Sequence, residues 1–137
     1  MMTNELDKNL KESLKIMIVE DEADICDLLA DYLGMKGCKN ISKIFTGKEA
    51  IARIELDKPD IIFLDIQLAD NVRGLEVLKK TKELLPNAKV IMMSAYKEEH
   101  GPESQALGAY DFLKKPFRAD SLDQILNRIF KDKEGGN

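Results

Sequence analysis

Acidic side chains, one hydroxyl and one lysine fall at the ends of short apolar runs in this sequence. Glu20-Asp21-Glu22 follows Ile16-Met17-Ile18-Val19, and Asp65 closes Ile61-Ile62-Phe63-Leu64. Ser94 follows Val90 to Met93, and Lys115-Pro116 follows the run from Tyr110 to Leu113. Two carboxylates about 4 Å apart repel by roughly 4 kcal/mol at an effective dielectric of 20. Three gathered at one place therefore need more positive charge than a single lysine brings. A hard divalent cation with oxygen ligands supplies it, and Mg²⁺ fits because it takes one or two carboxylates and keeps positions for water and phosphate. Carboxylates, Mg²⁺, a hydroxyl and an ammonium group together are what phosphoryl transfer requires. Taken singly, each residue has a plainer reading: a turn aspartate, acids at a helix N-terminus, a serine cap, a solvated lysine. Their coincidence at four separate strand ends favours the chemistry.

The elements that carry these residues alternate. Ile16–Val19, Ile41–Phe45, Ile61–Leu64, Val90–Met93 and Tyr110–Leu113 read as strands, several of them continuously apolar, as strands buried on both faces are. Between them run segments of helical period. Ile25, Leu28, Leu29, Tyr32 and Leu33 form one predicted stripe, stopped by Gly34 and Gly37. Thr46-Gly47-Lys48-Glu49 has the spacing of a capping box and opens a helix to about Leu56. Gly74–Leu85 is a third helix, with Val77, Leu78, Thr81, Leu84 and Leu85 inward. Gly101-Pro102 limits the fourth to Pro102–Leu107, and Asp120–Phe130 is the fifth. Five βα units with right-handed crossovers make one parallel sheet with helices on both faces. Ligands of such sheets sit beyond the carboxyl ends of the strands, where the acids, Ser94 and Lys115 fall.

Composition bounds the rest. The chain has 137 residues, 44% hydrophobic and 34% charged, enough for one domain with its own core. Its net charge of −4 argues against a nucleic-acid or anionic-membrane footprint. Cys26 and Cys38 have no zinc-type spacing and read as reduced, buried thiols. No apolar run approaches the roughly 20 residues of a membrane span, and no signal-peptide pattern opens the chain, so a cytoplasmic location is expected. Residues 1–14 read as a loosely ordered extension in which Leu6, Leu10 and Leu14 permit a short helix, and 131–137 as a fraying tail. His100, the only histidine, reads as a solvated surface residue.

The motifs IMIVEDE (16–22), IIFLDIQLAD (61–70) with Gly74, VIMMSA (90–95) and FLKKPF (112–117) resemble the ordered signatures of two-component response-regulator receiver domains. The likeness runs from about Lys15 to Phe130. It implies a flavodoxin-like (βα)5 three-layer sandwich with a five-stranded parallel sheet in order 2-1-3-4-5. It implies that Asp65 accepts a phosphoryl group from a histidine kinase or phosphotransfer protein, and that Glu20, Asp21, Asp65 and the main-chain carbonyl of Gln67 hold Mg²⁺. Ser94, helped by the Ala95 amide, and Lys115 would bind the phosphoryl oxygens, with Phe112 at the switch-aromatic position. Gln67 and Tyr96 would tune the phosphoryl lifetime, and Pro116 would follow a cis bond. Such a module is not an enzyme beyond Mg²⁺-dependent self-phosphorylation and autodephosphorylation.

The acceptor loop, Asp65 to Gly74, is one residue longer than the commonest family spacing, and Ala69 stands where proline is usual. Glu20 is one methylene longer than the more common aspartate. The interval from Ser94 to Lys115 is one residue shorter than common, and Gly101-Pro102 falls inside the fourth helix, which weighs against that helix as the output face. A flavodoxin-like cofactor enzyme fits poorly, since Glu20, Asp21, Glu22 and Asp24 would repel a bare phosphate. The remaining alternatives are a receiver cut from a longer regulator and a phosphorylation-independent docking module. A stand-alone receiver is expected to act by contact with a downstream protein, as a monomer or a phosphorylation-dependent dimer.

Overall fold

The computed structural model describes residues 4–95 and 97–134, with side chains for 8–95 and 100–132. Along them run α1 (Asn4–Ser13), β1 (Lys15–Val19), α2 (Ala23–Met35), β2 (Asn40–Ile44), α3 (Gly47–Asp57) and β3 (Ile61–Asp65). Then follow α4 (Gly74–Leu84), β4 (Lys89–Ser94), α5 (Lys97–Ala106), β5 (Asp111–Lys114) and α6 (Ala119–Glu134). The strands form one parallel sheet in order β2-β1-β3-β4-β5. Strand order reverses about β1, so the ends of β1 and β3 lie side by side at the switch point, with Val19 opposite Leu64.

Alternation along each strand splits the core in two. Ile16, Ile18, Ile61, Phe63, Ile91, Met93 and Leu113 face the layer built with α2 and α6. Met17, Val19, Ile62, Leu64, Val90, Met92 and Phe112 face the layer of α3 and α4. A one-residue register slip would exchange these two sets, which fixes where each strand ends and hence where its terminal acid sits.

Local signals account for most element ends. Thr46 Oγ1 accepts the Glu49 amide at 3.1 Å, the cap that the sequence predicts for α3. Gly37, at φ 101°, lets the chain leave α2 while the Cys38 amide donates back to the Leu33 carbonyl. Four expectations are corrected. The buried stripe of α2 is Cys26, Leu29, Ala30 and Leu33, while Leu28 is 61% exposed. Cys26, Leu29, Ala30 and Leu33 themselves fall at i, i+3, i+4 and i+7, so the same helical period fits this stripe, and α2 passes through Gly34 to end at Met35. The fourth βα unit's helix, α5, starts at Lys97 and contains Pro102 rather than beginning there. Proline at that depth removes one helical hydrogen bond, to the Glu98 carbonyl. The final helix runs on to Glu134, helped by Tyr110, whose hydroxyl donates to Asp132 at 2.8 Å.

The fourth correction is α1, which replaces the expected loose extension. Leu14, directly after it, is 4% exposed, and Leu10 packs on the core of the α2–α6 layer. The Lys11 ammonium stands 5.3 Å from the Phe130 ring centre, and Glu12 pairs with Lys39 at 3.2 Å. Too short to be stable alone, α1 persists because this face gives it apolar partners. Cys26 and Cys38 are buried free thiols, and burial pushes Cys26 up to about 11, which keeps it protonated and inert. No described helix is long and apolar enough to cross a membrane.

Removing residues 1–13 should lower the thermal midpoint by several degrees, roughly what one to two kcal/mol amounts to in a domain of this size. Circular dichroism melting checks this, and an unchanged midpoint would mean that α1 contributes no packing.

Candidate functional site

β1, β3, β4 and β5 each deliver a polar residue at the carboxyl edge of the sheet. Glu20 follows β1 and is fully buried; its amide donates to the Ile44 carbonyl at 3.0 Å, which ties it to the end of β2. Asp65 is the last residue of β3 and is 5% exposed. Lys115 follows β5, and its amide donates to the Ser94 carbonyl at 2.9 Å, carrying the β4–β5 pairing one residue beyond the strands. The Lys115–Pro116 peptide is cis, as expected.

The Lys115 ammonium joins the acids. Its Nζ lies 2.6 Å from Glu20 Oε2 and 2.8 Å from Asp65 Oδ2. The second oxygen of each carboxylate accepts a main-chain amide: Glu22 N–H to Glu20 Oε1 at 3.3 Å, and Gln67 N–H to Asp65 Oδ1 at 3.0 Å. One carboxylate oxygen from each of Glu20, Asp21 and Asp65 lies within 4.8 Å of the others. Among the described residues this is the one cluster of metal-ligand type. An all-oxygen donor set of this kind suits a hard cation such as Mg²⁺ and excludes a thiolate-imidazole zinc site.

Electrostatics agree with a site short of positive charge. Burial pushes the Glu20 carboxyl up to about 7; the hydrogen bond from Lys115 pulls the other way, and the charge of Asp65 adds to the rise. Burial alone would lower the Lys115 ammonium, but its bonds to Asp65 and Glu20 outweigh that and hold it above the ordinary lysine value. One half-buried lysine among three carboxylates leaves the pocket net negative.

The acceptor loop is shaped by close backbone approach. The Gly74 amide donates to the Ile66 carbonyl at 3.0 Å, and a Cβ on Gly74 would stand 2.2 Å from the Asp65 carbonyl oxygen. Only glycine fits there. Ser94 ends β4 and is 3% exposed; Phe112 is buried on β5 opposite Met92, with its ring in the α3–α4 layer. Gln67 is exposed at the start of the loop, and Tyr96 lies outside the described residues.

Two participants escape the sequence reading. Asp70 accepts the Gly47 and Lys48 amides at 3.1 and 3.0 Å, and Gly47 lies so close beneath Val72 that a Cβ would meet its carbonyl at 2.6 Å. The hydrogen bond from the Lys48 amide, with that from Gly47, holds the Asp70 carboxyl below its ordinary value despite some burial. The partners are 23 and 22 positions apart, so no local pattern announces them.

A sequence profile for the response regulator receiver domain matches residues 16–127. The chain is 30% identical over 118 residues to the chemotaxis protein CheY of Thermotoga maritima, covering 85% of this chain and 98% of that one. It is 38% identical over 122 residues to the nitrogen assimilation regulatory protein NtrX of Azorhizobium caulinodans, covering 85% of this chain but 26% of NtrX. The crystal structure of the receiver domain of NtrX from Brucella abortus superposes with a TM-score of 0.79 at 35% identity, over 85% of this chain and 98% of that one. A CheY-like receiver domain protein from Methanospirillum hungatei gives 0.81 at 29% identity, over 91% and 100%. The chain belongs to the response regulator receiver domain family. It is a receiver domain of two-component signalling with the flavodoxin-like fold, a signalling module in which an acidic pocket compatible with Mg²⁺ lies at the switch point.

The raised Glu20 carboxyl has a consequence for stability. Because it binds its proton more tightly folded than unfolded, its stabilising contribution is complete below the ordinary value of 4.5 and is lost as pH rises through about 7. In metal-free buffer, urea unfolding should show stability falling from about pH 5 to about pH 8, and Glu20→Gln should flatten that decline and be more stable than wild type at the alkaline end. A Glu20→Gln profile parallel to wild type would contradict the assignment.

Proposed function

We propose that Asp65 is the phosphoacceptor and that its phosphorylation switches the binding of a partner protein. The observation that carries this reading is the Lys115 ammonium bridging Asp65 and Glu20 inside a cluster of three carboxylates. In the reaction, a carboxylate oxygen of Asp65 attacks phosphorus in line, the bond from phosphorus to the donor's nitrogen or oxygen breaks, and that atom leaves with the electron pair. Glu20, Asp21, Asp65 and the Gln67 carbonyl are the residues that would hold Mg²⁺, which when bound neutralises charge on the phosphoryl oxygens. Lys115 exchanges its contact with the Asp65 carboxylate for one with a phosphoryl oxygen, a charge-assisted bond of at least equal strength. The Ser94 hydroxyl donates to a second phosphoryl oxygen, aided by the Ala95 amide.

The same groups supply a route outward. A shift of Ser94 toward the phosphoryl group pulls on the end of β4, which pairs with Lys114 on β5, two residues beyond Phe112. Phe112 also lines a cleft of about 740 Å³ between α5 and β5, with Gly101, Ser104 and Arg128 on its walls. Without a hydroxyl, Phe112 answers such a shift by changing rotamer alone. Gln67 and Tyr96, two residues past Asp65 and Ser94, are assigned the tuning of phosphoryl lifetime on the resemblance of their positions. In this reading the chemistry is limited to self-phosphorylation and autodephosphorylation, in the cytoplasm. The donor is a histidine kinase or histidine phosphotransfer protein and the output is a protein target, with the receiver a monomer or a phosphorylation-dependent dimer. The domain spans residues 15–130, with 1–14 and 131–137 as extensions. The chain spans nearly all of the Thermotoga CheY and about a quarter of NtrX, so a stand-alone receiver and the receiver portion of a longer regulator both have counterparts among its relatives.

Incubation with Mg²⁺ and acetyl phosphate, read by intact mass, should add one phosphoryl group to wild type, none without Mg²⁺, and none to Asp65→Asn. A label that persists in Asp65→Asn would sink the assignment of Asp65, and labelling independent of Mg²⁺ would sink the role of the acid cluster.

A further inference from the structure

The acceptor loop is fastened at three places. Its ends are closed by the Gly74 amide on the Ile66 carbonyl, and its start by the Gln67 amide on Asp65 Oδ1. In its middle, the Asp70 carboxylate grips the Gly47 and Lys48 amides at 3.1 and 3.0 Å. These are the first amides of α3, which a helix leaves without internal partners and which favour a negative charge. Val72 then lies against Gly47, where a Cβ would come within 2.9 Å of the Val72 side chain.

α3 has a cap of its own in Thr46, whose Oγ1 takes the Glu49 amide. Asp70 is therefore an addition from outside the helix, and its effect falls on the loop. Leu68 and Val72 are half-buried against the α3–α4 core, whereas Gln67 and Ala69 are exposed and no proline fixes φ between Asp65 and Gly74. The position of the Gln67 carbonyl is thus set from one side by Asp65 and from the other by the Asp70 anchor, three residues on.

We propose that Asp70 is a positioning residue for the metal site: by fastening the acceptor loop to the N-terminus of α3, it holds the Gln67 carbonyl in place as a ligand. The inference rests on the reading of Asp65 and Gln67 given above. Asp70 touches neither the metal nor the phosphoryl group, and acts by reducing the loop motion that ligation would otherwise have to arrest. Its signature is a change in Mg²⁺ requirement without a change in the chemistry at saturation.

The test compares wild type, Asp70→Ala, Asp70→Asn and Thr46→Ala in acetyl-phosphate labelling across a Mg²⁺ titration, with amide hydrogen exchange read over residues 66–69. Asp70→Ala should need on the order of tenfold more Mg²⁺ for half-maximal labelling, the low end of the effect of losing a group that orients a metal ligand. It should still reach the wild-type extent at saturation and exchange faster over 66–69. Asp70→Asn keeps one carbonyl acceptor and should fall between. Thr46→Ala weakens α3 without touching the loop and should keep the wild-type Mg²⁺ requirement. A wild-type requirement in Asp70→Ala overturns the proposal, and so does an equal rise in Thr46→Ala, which would reduce Asp70 to supporting the helix. Wild type that takes no Mg²⁺-dependent label overturns the reading of Asp65 as phosphoacceptor, and this inference with it.

Discussion

Buried like charge is the constraint around which the molecule is organised. Glu20 and Asp65 are carried almost out of solvent at adjacent strand ends, with Asp21 beside them and a single ammonium, Lys115, between. Hydrogen bonds make this tolerable: the second oxygens of Glu20 and Asp65 take main-chain amides, and Lys115 serves both acids at once. The upward push on the Glu20 carboxyl records what remains uncompensated. A pocket in that condition has a standing preference for added positive charge, and an acid in it is poised for a reaction in which that charge is supplied.

Such a pocket survives because the sheet beneath it does not give. β1 and β3 are buried on both faces, and their alternating side chains fill two separate cores. Moving Glu20 or Asp65 away from the other would require slipping a strand and exchanging core faces, a far larger cost than the repulsion it would relieve. Above the sheet the packing is looser: the acceptor loop exposes Gln67 and Ala69, and α5 has the polar sequence KEEHGPESQA with Pro102 inside it. A rigid charge trap beneath an exposed loop suits a module that converts a covalent mark into a change of surface.

Strands and site were legible for one reason: both depend on residue type at strand ends. Four apolar residues ending in Asp65, or in Glu20-Asp21, state the strand and its chemistry together, and Thr46 with Glu49 states the start of α3. What escaped depends on contacts between segments. The helical period of α2 admits a stripe through Leu28 as readily as one through Cys26, and only packing in the folded core selects the latter. α1 is too polar and short to be asserted alone, yet Leu10, Leu14 and Lys11 find partners on the α2–α6 face. Pro102 would ordinarily open a helix, but here α5 begins earlier. Asp70 looks like any loop acid until α3 is brought beneath it.

Glu20, Asp21 and Asp65 with the Gln67 carbonyl are proposed as one cation site with Lys115 at its wall. Anomalous diffraction from crystals soaked in Mn²⁺, an oxygen-seeking stand-in for Mg²⁺, addresses it directly. One strong peak is expected in ligation distance of Asp21, Asp65 and the Gln67 carbonyl, with Glu20 reaching it directly or through a water and Lys115 remaining at the pocket wall. No peak there at millimolar Mn²⁺, or a peak at some other acidic cluster alone, would contradict it.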